Sequence, residues 1–192
     1  MSGERRLTWE DIVHLPEKEM PELIDGKPYL RAAPRQRHSY LQGELPILLR
    51  FSDPRTALGW WILPEPDVRL TPHRIVRPDL AGWRKERMPD LTDDWPIDLR
   101  PDWVCEIASP SNSHYDRGIK SRVYLEAGVP WYWLADPQER TLEVLELQGE
   151  KWQYFGSFTD GDVCALPPFD DAVLTMAELF GPLPKGWPGA SE

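Results

Sequence analysis

The chain has 192 residues, with 22 Lys and Arg against 32 Asp and Glu for a formal net charge of −10, and is 41% hydrophobic and 28% charged. That balance is ordinary for a globular protein and excludes a chain too polar to bury a core. The acidic sign argues against a strong nucleic-acid binder held by a basic surface, because phosphate neutralisation supplies much of such affinity.

No apolar run approaches the roughly 20 residues of a membrane helix, and the opening MSGERRLTWED lacks the apolar segment of a secretion signal. Cys105 and Cys164 lie far apart and outside any CxxC spacing. A reduced, cytoplasmic setting without membrane contact is the expectation. Length favours a single domain over 1–182, with the Pro- and Gly-rich residues 183–192 as a flexible tail.

In chain order, Thr8-Trp9-Glu10-Asp11 opens a short helix with a cap-like Thr and acid in its first turn. Residues 22–30 read as a hairpin turning at Asp25-Gly26. A helical pattern from about 36 to 51 runs through Tyr40, Leu41, Leu45, Leu48 and Leu49, with Pro46 expected to kink or restart it. Residues 60–63, 67–70 and 75–83 read as three strands, and 84–100 as a loop.

The organising stretch is 101–137. Its apolar run 103–108 suits a buried strand and contains Glu106, a carboxylate that must be paired, bind a metal or take up a proton if it leaves water. Ser-Pro-Ser-Asn-Ser follows, and Ser113 with Asp116 makes a loose capping box for a helix starting near His114 and stopping at Gly128. Asp116, Lys120 and Tyr124 share one helical face; Ile119, Val123 and Ala127 share another. Residues 131–135 form the next strand, and such strand–helix–strand crossovers usually join parallel neighbours, a geometry that could return Lys120 towards Glu106. Residues 141–147 alternate and should pair antiparallel with 131–135, residues 151–155 extend the sheet, 160–162 turn, and 176–180 form a last helix. The expected class is α/β, bordering on α+β, with a mixed central sheet flanked by helices.

Asp79, in Arg77-Pro78-Asp79, places a second acid in the predicted strand 75–83. Two strand-borne carboxylates, if adjacent, would suit Mg²⁺, which prefers oxygen ligands and keeps several waters. Lys120 could then steady a hydroxide or the charge on a phosphoryl group. The plainer alternative has Asp79 capping a strand and Glu106 paired with Lys120 or Arg122, with nothing catalytic following. His38, His73 and His114 have no metal-ligand spacing, which argues against zinc. Arg84, Lys85 and Arg87 make the best local basic run, either beside Asp79 on phosphates or on a solvated loop.

The motifs ELIDGKPY at 22–29, His38 opening the following helix, RPDLAGW at 77–83, WVCEIASPSN at 103–112, DRGIKSRVYLEAGVPWYW at 116–133 and LADP at 134–137 resemble the large bacterial family of putative restriction endonucleases, a branch of the PD-(D/E)XK nuclease superfamily. The resemblance runs from about 8 to 180 and implies a restriction-endonuclease-like core with Mg²⁺ (or Mn²⁺) held by Asp79 and Glu106. It implies DNA as substrate, in weak or transient contact given the charge, and a homodimer. The superfamily pattern places a lysine two residues after the acid, whereas position 108 is Ala; the resemblance suggests that Lys120 fills that place from the helix. Glu22 resembles the family's early acid, either orienting water or serving the hairpin. Asp116 either holds Lys120 or caps its helix, and Tyr124 either bonds within the site or lines the core edge. The sequence thus supports two readings: a Mg²⁺-dependent endonuclease using Asp79, Glu106 and Lys120, or a nuclease-fold binding or assembly module without turnover.

Overall fold

The structure is a computed structural model that describes residues 5–16, 19–31, 33–52, 58–108 and 115–182, with the side chains of 115–117 left aside. Helix α1 (Trp9–Ile12) starts where Thr8 and Asp11 form a capping box, the Thr8 N–H donating to Asp11 Oδ2 at 3.0 Å. Strands β1 (Glu22–Ile24) and β2 (Lys27–Tyr29) form the expected hairpin. Its turn residues Asp25 and Gly26 both have positive φ, at 54° and 79°. A two-residue turn matched to strand twist demands this. Helix α2 (Gln36–Ser52) runs through Pro46 as one 17-residue element, burying Leu41, Leu45 and Leu49.

After α2 come β3 (Trp60–Pro64), β4 (Val68–Thr71), β5 (Arg74–Val76) and β6 (Leu80–Arg84). The expected strand over 75–83 is therefore two strands in two different sheets. The break falls at Arg77-Pro78-Asp79, where Pro78 has no N–H to give a ladder. The Arg77 N–H donates instead to Glu22 Oε1 at 2.7 Å. Then follow β7 (Trp103–Ile107), a π-helical turn (Tyr115–Lys120) leading into α3 (Ser121–Glu126), and β8 (Trp131–Asp136). The capping role expected of Ser113 and the helix start near His114 lie outside the described residues. Gly128 does end the helical segment, with φ 73°, the left-handed conformation that suits glycine at a helix end.

Strands β9 (Thr141–Gln148) and β10 (Lys151–Thr159) complete the large sheet. Strands β11 (Val163–Leu166) and β12 (Phe169–Thr175), not expected from the sequence, form a separate hairpin before α4 (Met176–Phe180). The large sheet has the order β10-β9-β8-β7-β6-β3, and the small one β2-β1-β5-β4. Among the described residues all the strand pairings are antiparallel except β7 with β8, the parallel pair expected of the crossover.

Alternation along β7 assigns its side chains to two cores. Trp103, Cys105 and Ile107 join α2, β11 and β12 in a dry core with Trp60, Trp133 and Phe169. Val104 and Ala108 face the second core, with Val123 and Tyr124 of the crossover helix and Val68 and Val76 of the small sheet. Glu106 lies between Val104 and Ala108 in this alternation. The strand thus carries its charge to the face covered by α3.

Candidate active site

Glu22, Asp79, Glu106 and Lys120 are all buried, with 3%, 4%, 1% and 2% of their surfaces exposed. Each arrives on a different piece of backbone. Glu22 begins β1, Asp79 stands just before β6, Glu106 is the fourth residue of β7, and Lys120 ends the π-helical turn before α3. The Lys120 Nζ lies 2.7 Å from Glu106 Oε1 and 3.1 Å from Glu22 Oε1, and donates to the Arg77 carbonyl at 3.1 Å. Burial works against its charge, but the fields of Glu106, Glu22 and Asp79 win, and its pKa rises above the ordinary lysine value. The ammonium is therefore locked on.

Tyr124, one turn beyond Lys120, donates to Glu106 Oε1 at 2.6 Å. Burial, then the charges of Glu106 and Glu22, push its phenol well above its ordinary pKa, so it acts as a donor. Tyr124 is thus fully buried in the second core while its hydroxyl is spent on Glu106. Asp116 lies in the π-helical turn, but its side chain is outside the described residues.

Asp79 is held from three sides. Its Oδ2 accepts the Ile107 N–H at 2.7 Å, which ties it to the end of the Glu106 strand. Its Oδ1 accepts from Arg31 Nη2 at 2.9 Å and faces His38 Nε2 at 3.3 Å. Burial raises its pKa, but His38, Lys120 and Arg31 outweigh burial and hold it below the usual carboxylate value. His38 is itself buried, which lowers its pKa, and the neighbouring Asp79 more than compensates. Gln42, one helical turn after His38, donates to the Asp79 carbonyl at 3.0 Å and to Glu65 Oε1 at 3.2 Å.

Arg31, His38 and Gln42 were absent from the residues expected to build the site. One signal was present: His38 and Gln42 stand at i, i+4 on a helix otherwise lined by leucines. Arg31 leaves the hairpin in irregular backbone and had no such marker. The run Arg84, Lys85, Arg87 had two readings, and the structure places it away from Asp79. It lies at the far end of β6 from Asp79, with Arg84 over the Trp60 ring, Lys85 over Trp61, and Arg87 paired with Asp102.

The donor set suits a hard divalent cation. Carboxylates supply the candidate ligands. Among the described residues the four acids Glu22, Glu65, Asp79 and Glu106 face two permanent cations, Lys120 and Arg31. Among the same residues no group of three or more His, Cys, Asp or Glu is arranged to hold a metal. With fewer than three such ligands, Mg²⁺ would need water to complete its coordination, a mode that ion commonly uses.

The large mixed sheet, with one parallel pair joined by a crossover helix, is a nuclease-like fold. The same architecture is found in the crystal structure of a putative nuclease of DUF820 from Anabaena variabilis, at a TM-score of 0.73 and 23% identity, over 91% of this chain and 97% of that one. The family model Uma2, putative restriction endonuclease, matches residues 9–177, and the chain belongs to that family. A comparison with curated proteins gives no match.

Proposed function

We propose that this protein is a metal-dependent endonuclease that hydrolyses DNA phosphodiester bonds with a PD-(D/E)XK-type site, its lysine supplied by the crossover helix. Asp79 and Glu106 would hold Mg²⁺, with Mn²⁺ as a substitute. When bound, the ion would lower the pKa of a water and offset charge on the phosphoryl group. Lys120, kept cationic by its carboxylate neighbours, stabilises the negative charge that gathers as water attacks phosphorus. Glu22 holds the other side of the Lys120 ammonium and fixes its direction. Tyr124 fixes Glu106, and Arg31 with His38 fixes Asp79.

The observation that carries this reading is the convergence of Lys120 on Glu106 and Glu22, at 2.7 and 3.1 Å, from a helix in place of the strand position occupied by Ala108. The test is cleavage of plasmid or single-stranded DNA with Mg²⁺ or Mn²⁺, stopped by chelation. Glu106→Gln and Lys120→Met, of similar volume, should each lower the rate by about 10² or more while remaining folded by circular dichroism. Full activity in either variant refutes the assignment.

One observation favours a second reading, a binding or assembly module without turnover: Asp79 is already engaged by Arg31, His38 and the Ile107 N–H. Calorimetry with Mn²⁺ separates the two. A binding signal lost in Glu106→Gln supports the enzyme, and no signal in the wild type supports the module.

A further inference from the structure

Lys120 is poorly placed to grip a substrate. It is buried, and its ammonium has three N–H donors facing three acceptors: Glu106, Glu22 and the Arg77 carbonyl. It acts on a phosphate through its field, with no donor left to give one. Glu22, Asp79 and Glu106 are buried acids whose charge repels a phosphodiester. Binding therefore calls for a second cation, one with free donors and a face open to solvent.

Arg31 meets both conditions. It follows the β1–β2 hairpin in irregular backbone, and 23% of its side chain is exposed. Nη2 donates to Asp79 Oδ1 at 2.9 Å, and Nη1 donates to Glu65 Oε2 at 3.4 Å. A guanidinium carries five N–H donors in a planar fork, so among the described residues Arg31 engages two and leaves three. Burial works against its charge, but the fields of Asp79, Glu22, Glu106 and Glu65 outweigh burial and raise its pKa. The guanidinium therefore stands within electrostatic reach of every acid of the candidate site.

Glu65 approaches the arginine from strained backbone. It follows β3 with φ 47°, the left-handed region that a residue with a side chain rarely adopts. Such conformations persist where the surroundings over-determine them, and they gather at ligand sites. Here the surroundings are those of Asp79. The Glu65 N–H donates to the Asp79 carbonyl at 3.1 Å. Gln42 Nε2 donates to that same carbonyl and to Glu65 Oε1. Of the four acids Glu65 is the most exposed, at 39% of its side chain. Its contact with Arg31 is the longer of the arginine's two, and so the easier to exchange for another anion.

We propose that Arg31 is the substrate-binding cation of this site: its free N–H donors take the non-bridging oxygens of the phosphodiester presented to Asp79 and Glu106. The contact with Asp79 stays in place, while the phosphate replaces the longer contact with Glu65. The fork of an arginine suits this task, because two parallel N–H donors match two phosphate oxygens. The proposal rests on the nuclease reading above for the identity of the anion, and on the unengaged donors of Arg31 for the residue.

The test is fluorescence anisotropy with a labelled single-stranded oligonucleotide in chelator at low salt, which reads binding without metal or cleavage. Arg31→Gln keeps an N–H donor for Asp79 and loses the charge. It should weaken affinity on the order of tenfold and reduce the slope of log affinity against log salt by about 0.7, the share of one phosphate contact. Arg31→Lys should restore the slope but only part of the affinity, since an ammonium neutralises a phosphate without the fork. Lys151→Ala, exposed on the edge strand β10, should change neither. In the wild-type protein the Arg31 Nε–H resonance, assigned by its loss in Arg31→Lys, should move on adding the oligonucleotide and stay in place on adding chloride. This measurement stands even if a variant fails to fold. A resonance that does not move overturns the proposal. So do folded Arg31 variants with a lowered thermal midpoint but wild-type affinity and salt slope, because Arg31 is then only the partner of Asp79. Arg31-dependent binding without Mg²⁺-dependent cleavage supports the contact and defeats the nuclease reading; cleavage with Arg31-independent binding does the reverse.

Discussion

The two faces of the large sheet solve opposite problems with one strand. On one side β7 presents Trp103, Cys105 and Ile107 to a core of large aromatic rings, where Trp103, Trp133 and Phe169 meet edge to face at centroid distances of 5.1–5.6 Å. On the other it presents Glu106 to Lys120 and Tyr124, charges and hydroxyls buried to a similar degree. The dry face is stabilised by area removed from water and by close packing of its rings, with no partner charge required. The charged face gains little net stability from its ion pairs, because desolvation cancels much of the Coulomb attraction. Its partners are needed mutually, since each keeps the others from being buried unpaired. The comparison shows that depth of burial alone does not mark an apolar core: charge can be held as deeply as tryptophan.

The comparison breaks most readily on the dry side. Trp133→Ala should cost about 3–5 kcal/mol in urea unfolding, from lost transfer energy plus the cavity left among rings. Cleavage by the folded fraction should be altered far less than stability. On the charged side, Lys120→Met strands Glu106 and Glu22 and should also cost about 3–5 kcal/mol. Adding Glu106→Gln to Lys120→Met should then cost less than the sum of the single changes. A double-mutant cycle checks this, and strict additivity would show that the two groups are not coupled.

Tyr124→Phe removes a hydrogen bond to a charged group and should cost about 1.5–3 kcal/mol, with the protein still folded. The smallest effect expected is that of pH. Asp79 titrates below its ordinary value of 3.8 in the folded protein. Its contribution to stability is therefore fully present above about pH 4 and is lost as pH falls through the lower folded value. The stability gap between wild type and Asp79→Asn should close on acidification from pH 5 to pH 3. A gap that widens over that range would contradict the assigned direction.

Local chemistry made much of the fold legible. Asp25-Gly26 dictates a tight hairpin because both positions take positive φ. The alternation of 141–147 has one register that buries Leu142 and Val144. The strands at 103–107 and 131–136, with a helical segment between them, pair in parallel as such crossovers usually do. Lys120 and Tyr124 could be placed on one face by helical spacing, and Glu106 was conspicuous as a charge in an apolar run.

What the sequence could not decide was which distant segments would meet. The strand expected at 75–83 divides at Pro78, which gives no N–H to a ladder, and the Arg77 N–H beside it goes to Glu22, 55 residues away. Arg31 reaches Asp79 across 48 residues, and His38 and Gln42 approach the same residue from α2. Periodicity reports the face a residue occupies on its own element, but a buried charge is satisfied by whatever lies across from it. The partners of Asp79, Glu106 and Lys120 were therefore fixed only when helix, hairpin and sheet packed together.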